Sequence, residues 1–205
     1  MSAVVLTTLG KFFFMDWLDW RFFFVVTAII SWAGYIIYRH KTRPGILRYW
    51  GFRTDNFKTV WRKVLPFGII SVIAFIGIGL YRDSINITWH ILPVLILYPA
   101  WGIIQQFLLI ALTAGNLQDL KARRPDKGMI ILFSAILFAS VHYPYTWLIA
   151  GTFILAVFYG WTYLKERNIY VLGLFHGWLA GIFYYTVLDR DPFLEMFGKL
   201  FHFRL

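Results

Sequence analysis

The chain has 205 residues, of which 60% are hydrophobic and only 15% charged, and its formal net charge is +10. A soluble domain carries about 25% charged residues, so this composition excludes an ordinary soluble fold and points to a polytopic membrane protein. The absence of cysteine excludes a disulfide framework, a thiolate nucleophile and sulfur metal ligands; the basic residues sit in loops between apolar stretches, which fits topology and anionic headgroups rather than nucleic acid.

No Ser/Gly-rich linker divides the chain, so residues 1–205 are read as one membrane domain. Segment 1–21 lacks a basic n-region and a clear cleavage site, so a cleaved signal peptide is not expected. Its Phe12, Phe13, Phe14, Trp17 and Trp20, with Asp16 and Asp19, read as an interfacial segment. Windows of about 20 apolar residues place spans at 22–38, 65–81, 89–117, 128–142, 145–163 and 169–188. The third holds Pro93 and Pro99, which predict a break before the part that carries Gln105 and Gln106.

The first connection, 39–64, holds Arg39, Lys41, Arg43, Arg48, Arg53, Lys58, Arg62 and Lys63 against the single acid Asp55. A second holds Lys121, Arg123, Arg124 and Lys127, and a third Lys165 and Arg167. The positive-inside rule makes all three cytoplasmic and puts both termini on the opposite side. In the last span Gly173, Gly177 and Gly181 form a small-residue ridge for close helix packing. Segment 192–205 alternates Phe193, Phe197, Leu200, Phe201 and Leu205 with Lys199 and Arg204, the pattern of an amphipathic interfacial helix. The expected fold class is therefore all-α, a transmembrane helical bundle of about six spans with a mid-membrane polar cavity.

That cavity is inferred from four side chains that hydrocarbon disfavours: Gln105, Gln106, His142 and His176. Counting helical rise from the basic side puts Gln105 about 18 Å, His142 about 21 Å and His176 about 10 Å deep, which lets them share one layer. Two histidines without a third protein ligand or an HExxH pattern do not make a zinc site, and no metal or cofactor is expected. Ser134 and Ser140 lie on the His142 helix without a flanking pattern that marks a nucleophile. The spans carry no central charged relay, and no inverted repeat is apparent, so transport has little support.

The stretch Phe138-Ala-Ser-Val-His142, followed downstream by Gly173-Leu-Phe-His176-Gly177, resembles the second and third motifs of the CPBP family, the CAAX-processing proteases and Abi-like bacteriocin-processing or immunity proteins. Upstream, Trp50-Gly-Phe-Arg-Thr-Asp-Asn-Phe-Lys58 resembles the basic segment that these proteins place before a span. The resemblance runs from about residue 46 to 186. It implies an intramembrane endopeptidase in which a glutamate of an EExxxR motif activates water, and the two histidines orient that water or stabilise the oxyanion. An Asn or Asp four residues after the last histidine assists.

Carried onto this chain, the resemblance gives His142 and His176 as the histidines, with Phe138 one turn before the first. Gln105 and Gln106 stand at the glutamates, Ile110 at the arginine and Ala180 at the Asn/Asp. An amide can position water but cannot take its proton, and no carboxylate is predicted inside the cavity. The expected function is that of a CPBP-like membrane protein without ordinary glutamate-dependent proteolysis. It would bind a membrane peptide, lipid or pigment, or serve as a subunit of a membrane complex. The alternative is an active CAAX-protease-like endopeptidase that uses His142 and His176.

Overall fold

The computed structural model describes residues 2–120 and 125–201. Lys121, Arg123 and Arg124 of the second basic connection, and Arg204 and Leu205 of the C-terminal segment, lie outside them. The elements are α1 (Ser2–Gly10), a π-helical stretch (Lys11–Trp17), α2 (Arg21–Thr42), α3 (Ile46–Trp50), α4 (Phe57–Arg82) and α5 (Ile91–Gln106). A second π-helical stretch (Phe107–Gly115) continues α5 into α6 (Asn116–Gln118), followed by α7 (Lys127–Ser140), α8 (Thr146–Lys165), α9 (Ile169–Thr186) and α10 (Pro192–Phe201). The described residues are all-helical, and five helices are long and apolar enough to cross a membrane. With 14 residues, α7 would reach about 21 Å, short of a full hydrocarbon crossing, and makes a sixth span plausible with the turn that follows it.

The outer faces show why these sequences form helices that water would not tolerate. Ile30 and Ile37 on α2, Ile70, Ile73 and Leu80 on α4, and Ile96 on α5 all point outward and are exposed. Helices apolar all round satisfy every backbone group internally, which is what a lipid environment demands. Two other helices begin at polar side-chain caps. The Asp126 carboxylate accepts from the Gly128 N–H at 2.8 Å, and Asn168 Oδ1 accepts from the Val171 N–H at 3.0 Å, starting α7 and α9.

The predicted break in the third span does not occur. Pro93 falls in the first turn of α5, where its missing N–H has no intrahelical partner to lose. Pro99 is inside the helix and frees the Leu95 carbonyl four residues earlier; the Trp178 indole N–H of α9 donates to that carbonyl at 3.0 Å. The irregularity lies further on, in the π-helical stretch, whose nine residues are all buried. At the same crossing a methyl group on Gly177 would overlap the Pro99 backbone, and one on Gly173 would overlap Ile103. Glycine is required there because α5 and α9 touch backbone to backbone.

Much of the first basic connection is helical and docked. Ile46 and Trp50 of α3 are buried. The Tyr163 hydroxyl donates to the Trp50 carbonyl at 3.0 Å, and Asn168 Nδ2 donates to Asn56 Oδ1 at 2.8 Å. Arg167 donates to the Gln118 side chain at 3.0 Å. The first and third basic connections therefore meet at one end of the bundle, beside Gln118 at the end of α6.

Candidate functional site

Between α5, α7, α8 and α9 lies a cavity of about 180 Å³ whose lining includes Gln105, His142, His176 and Ala180. Four positions singled out in the sequence thus open onto one space. Gln106 does not line it. Its side chain is fully buried behind His176, with Nε2 2.8 Å from His176 Nδ1. Phe138 packs against both histidines: its ring centroid is 4.9 Å from that of His142 and 5.4 Å from that of His176. Ile110 is fully buried among apolar side chains in the π-helical stretch. Gly173, Gly177 and Gly181 face α5, at Ile103, Pro99 and Val94.

The hydrogen bonds define what each histidine can do. His142 follows the end of α7, and its Nδ1 is 2.8 Å from the Phe138 carbonyl. A carbonyl can only accept, so Nδ1 carries the proton and Nε2 keeps a free lone pair. At His176 the polarity is reversed. The Gln106 amide donates to Nδ1, which puts the imidazole proton on Nε2. One imidazole of the cavity is then arranged as an acceptor and the other as a donor. Gln106 Oε1 has no partner among the described residues, nor has Ser134 Oγ. Ser140 Oγ is turned back onto the Leu137 carbonyl at 2.8 Å, so neither serine is presented as a nucleophile by a histidine contact.

One expectation about the cavity needs correction. A carboxylate does line it: Glu195 of α10, along with Pro192 and Met196. The reason is the path of the chain after α9. A left-handed Asp189 turns it, and Asp191 accepts from the Phe193 and Leu194 N–H groups at 2.9 and 3.2 Å. The amphipathic helix is thereby laid back across the cavity rim. Glu195 is ion-paired with Arg21 at 2.7 Å and with Arg190, and Lys199 of the same helix pairs with Asp19 at 2.6 Å. Lys11 and Met15 of the N-terminal π-helical stretch complete that side of the lining. The sequence signal for this was slight: Glu195 is one of only two glutamates in the chain, but nothing in the pattern tells which helix its polar face meets.

No group of three or more His, Cys, Asp or Glu among the described residues could hold a metal ion. The site is instead a set of neutral hydrogen-bonding groups in an apolar cavity, with charge confined to one rim.

A multi-pass helical membrane protein with a buried polar cavity is the class that fold and site define. Residues 13–182 match the family model described as type II CAAX prenyl endopeptidase Rce1-like, and the chain belongs to that family. The matched region contains Gln105, Gln106, His142, His176 and Ala180 and stops short of Arg190 and Glu195. No curated protein and no solved structure matches the chain.

Proposed function

We propose that this protein keeps the cavity of a CAAX-endopeptidase-like membrane protein without glutamate-dependent hydrolysis, and uses it to hold a membrane peptide or a lipid-like ligand. The observation that carries this reading is the Gln106 amide. It is fully buried and donates to His176, where a glutamate would accept. An amide does not take a proton from water, and loss of a general base typically costs on the order of 10²–10⁴ in rate. Glu195, the only acid among the described lining residues, is committed to two guanidinium partners and does not replace it. In the same reading Gln105 and Ala180 are ligand-facing positions, and residues 1–205 act as one membrane domain. The basic end faces the cytoplasm, with both termini opposite. Service as a subunit of a membrane complex is compatible with such a cavity.

A second reading is favoured by one observation: the free Nε2 lone pair of His142, which is suited to accept a proton from water. Both readings meet in one experiment. The purified protein in lipid nanodiscs is incubated with prenylated CAAX peptides and with transmembrane peptides. The first reading expects no cleavage above background. Robust cleavage that disappears in both His142→Ala and His176→Ala would overturn it in favour of the second.

A further inference from the structure

One wall of the cavity belongs to a helix that stands apart from the bundle core. Pro192, Glu195 and Met196 of α10 line the space, yet no residue of α10 joins the apolar core that α5, α7, α8 and α9 share. The helix lies beyond the family-matched residues 13–182. It sits at the end of the bundle away from the first and third basic connections, because α9 starts beside them at Asn168 and runs toward α10.

The two ends of α10 are held in different ways. The near end is anchored. Asp191, with 8% of its side chain exposed, accepts from the Tyr185 and Thr88 hydroxyls at 2.8 Å each and lies 2.7 Å from His90 Nδ1. The same carboxylate caps the Phe193 and Leu194 N–H groups, and the Phe193 ring stacks on His90 at 4.7 Å. The far end is only latched. Glu195 reaches Arg21 at 2.7 Å, Phe197 meets Phe22 at 5.6 Å between ring centroids, and Lys199 reaches Asp19 at 2.6 Å. All three partners fall within residues 19–22, where the chain enters α2. Arg190, the second partner of Glu195, directly precedes Asp191 and so ties the helix to its own anchor rather than across the cavity. The Lys199 and Asp19 side chains are 66% and 47% exposed. Ion pairs so open to water contribute little and are screened by salt, whereas a buried carboxylate with several donors is costly to pull away.

We propose that α10 is a releasable cover of the cavity, pivoting at Asp191 and latched across the rim to residues 19–22. Unlatching carries Glu195 and Met196 out of the lining and opens the space beside Ala180 toward the end of the bundle opposite the first and third basic connections. Whatever occupies the cavity enters and leaves at that end, and the closed helix holds it in. This goes beyond the ligand-holding reading, because access to the cavity is measured without any ligand and the cleavage assay above decides that reading separately.

The absence of cysteine makes a direct test possible. Ala180→Cys places a single thiol in the cavity lining, and Ser134→Cys, in a separate chain, places one that is buried in α7 outside that lining. Each full-length protein in phosphatidylcholine nanodiscs is labelled with a water-soluble maleimide, and the rate is followed by mass spectrometry. In the Ala180→Cys chain, Lys199→Gln is expected to speed labelling about threefold and Glu195→Gln about fivefold, the scale of a weak ion pair. Raising KCl from about 20 to about 500 mM should also speed it, and less so once Glu195→Gln is present. The Ser134→Cys rate should stay unchanged throughout. A fixed wall would leave the Ala180→Cys rate unmoved by both substitutions and by salt, and that result would overturn the proposal. A parallel rise at Ser134→Cys would overturn it too, since it reports general loosening of the bundle. So would an Ala180→Cys rate equal to that of free N-acetylcysteine before any latch residue is changed, because the cavity would then never be covered.

Discussion

The floor and the rim of the cavity are built on opposite principles. The floor is the crossing of α5 and α9, where glycine, a proline and two polar side chains meet with no formal charge and almost no exposure: Gln106 is 0% and His176 5% exposed. The rim, where α10 returns to the start of α2, is half-buried and held by Arg21, Arg190, Glu195, Asp19 and Lys199. A charge deep in hydrocarbon has no water to fall back on, whereas one at the rim can be solvated or paired as needed. The floor is therefore fixed by backbone contact and neutral hydrogen bonds, and the rim by ion pairs.

That contrast can be broken at the floor first. Gly177→Leu should separate α5 from α9 and cost about 3 kcal/mol or more, because no rotamer avoids the Pro99 backbone. The midpoint of denaturant unfolding in detergent measures it; an unchanged midpoint would mean the crossing is loose. Next comes Trp178→Phe, which keeps the ring but strands the Leu95 carbonyl that Pro99 has already freed. Its expected cost is about 1–3 kcal/mol, and restoring a backbone donor with Pro99→Ala in the same chain should recover part of it.

Gln106→Glu sharpens the comparison. A carboxylate there can only accept from His176, so the imidazole proton should move from Nε2 to Nδ1, visible in the nitrogen shifts of labelled histidine. Gln105→Glu, facing the cavity, should leave those shifts in place. At the rim, acid should loosen what neutral pH holds. Burial opposes ionisation of Asp191, but hydrogen bonds from His90, Tyr185, Thr88 and the Leu194 N–H outweigh it and keep the carboxyl below its usual range. A lowered folded-state pKa stabilises above the unfolded value and is lost as pH falls through the folded one, so α10 should stay docked down to about pH 4 and release below it. Hydrogen exchange of the α10 amides reports this directly. The smallest effect is expected at Asp55, held at about 2 by the hydrogen bond from Arg53 but fully exposed; Asp55→Asn should move no unfolding midpoint measurably.

The helices were legible because lipid imposes a simple requirement of length and apolarity, met at α2, α4, α5, α8 and α9. His142 and His176 were legible through the residues around them, with Phe138 one turn before His142. The Gln106–His176 contact was not, since adjacent glutamines on one helix face different ways and only the crossing angle decides which one meets the imidazole. Glu195 was hidden for a related reason. An amphipathic segment announces two faces but not what each will touch. The break expected at the prolines failed on a donor, Trp178, that arrives from another helix and leaves no mark near Pro99.

The π-helical stretch Phe107–Gly115 has a further consequence for how this chain can change length. Its i→i+5 bonding stores slack that ordinary helix lacks. Deleting one residue within it can be absorbed by tightening to i→i+4 bonding. The same deletion in α5 would turn Gln105 and Gln106 by about 100° relative to α9. A deletion that shortens the basic end of this span is thus accommodated in one place, below the glutamines, without disturbing their register against His176.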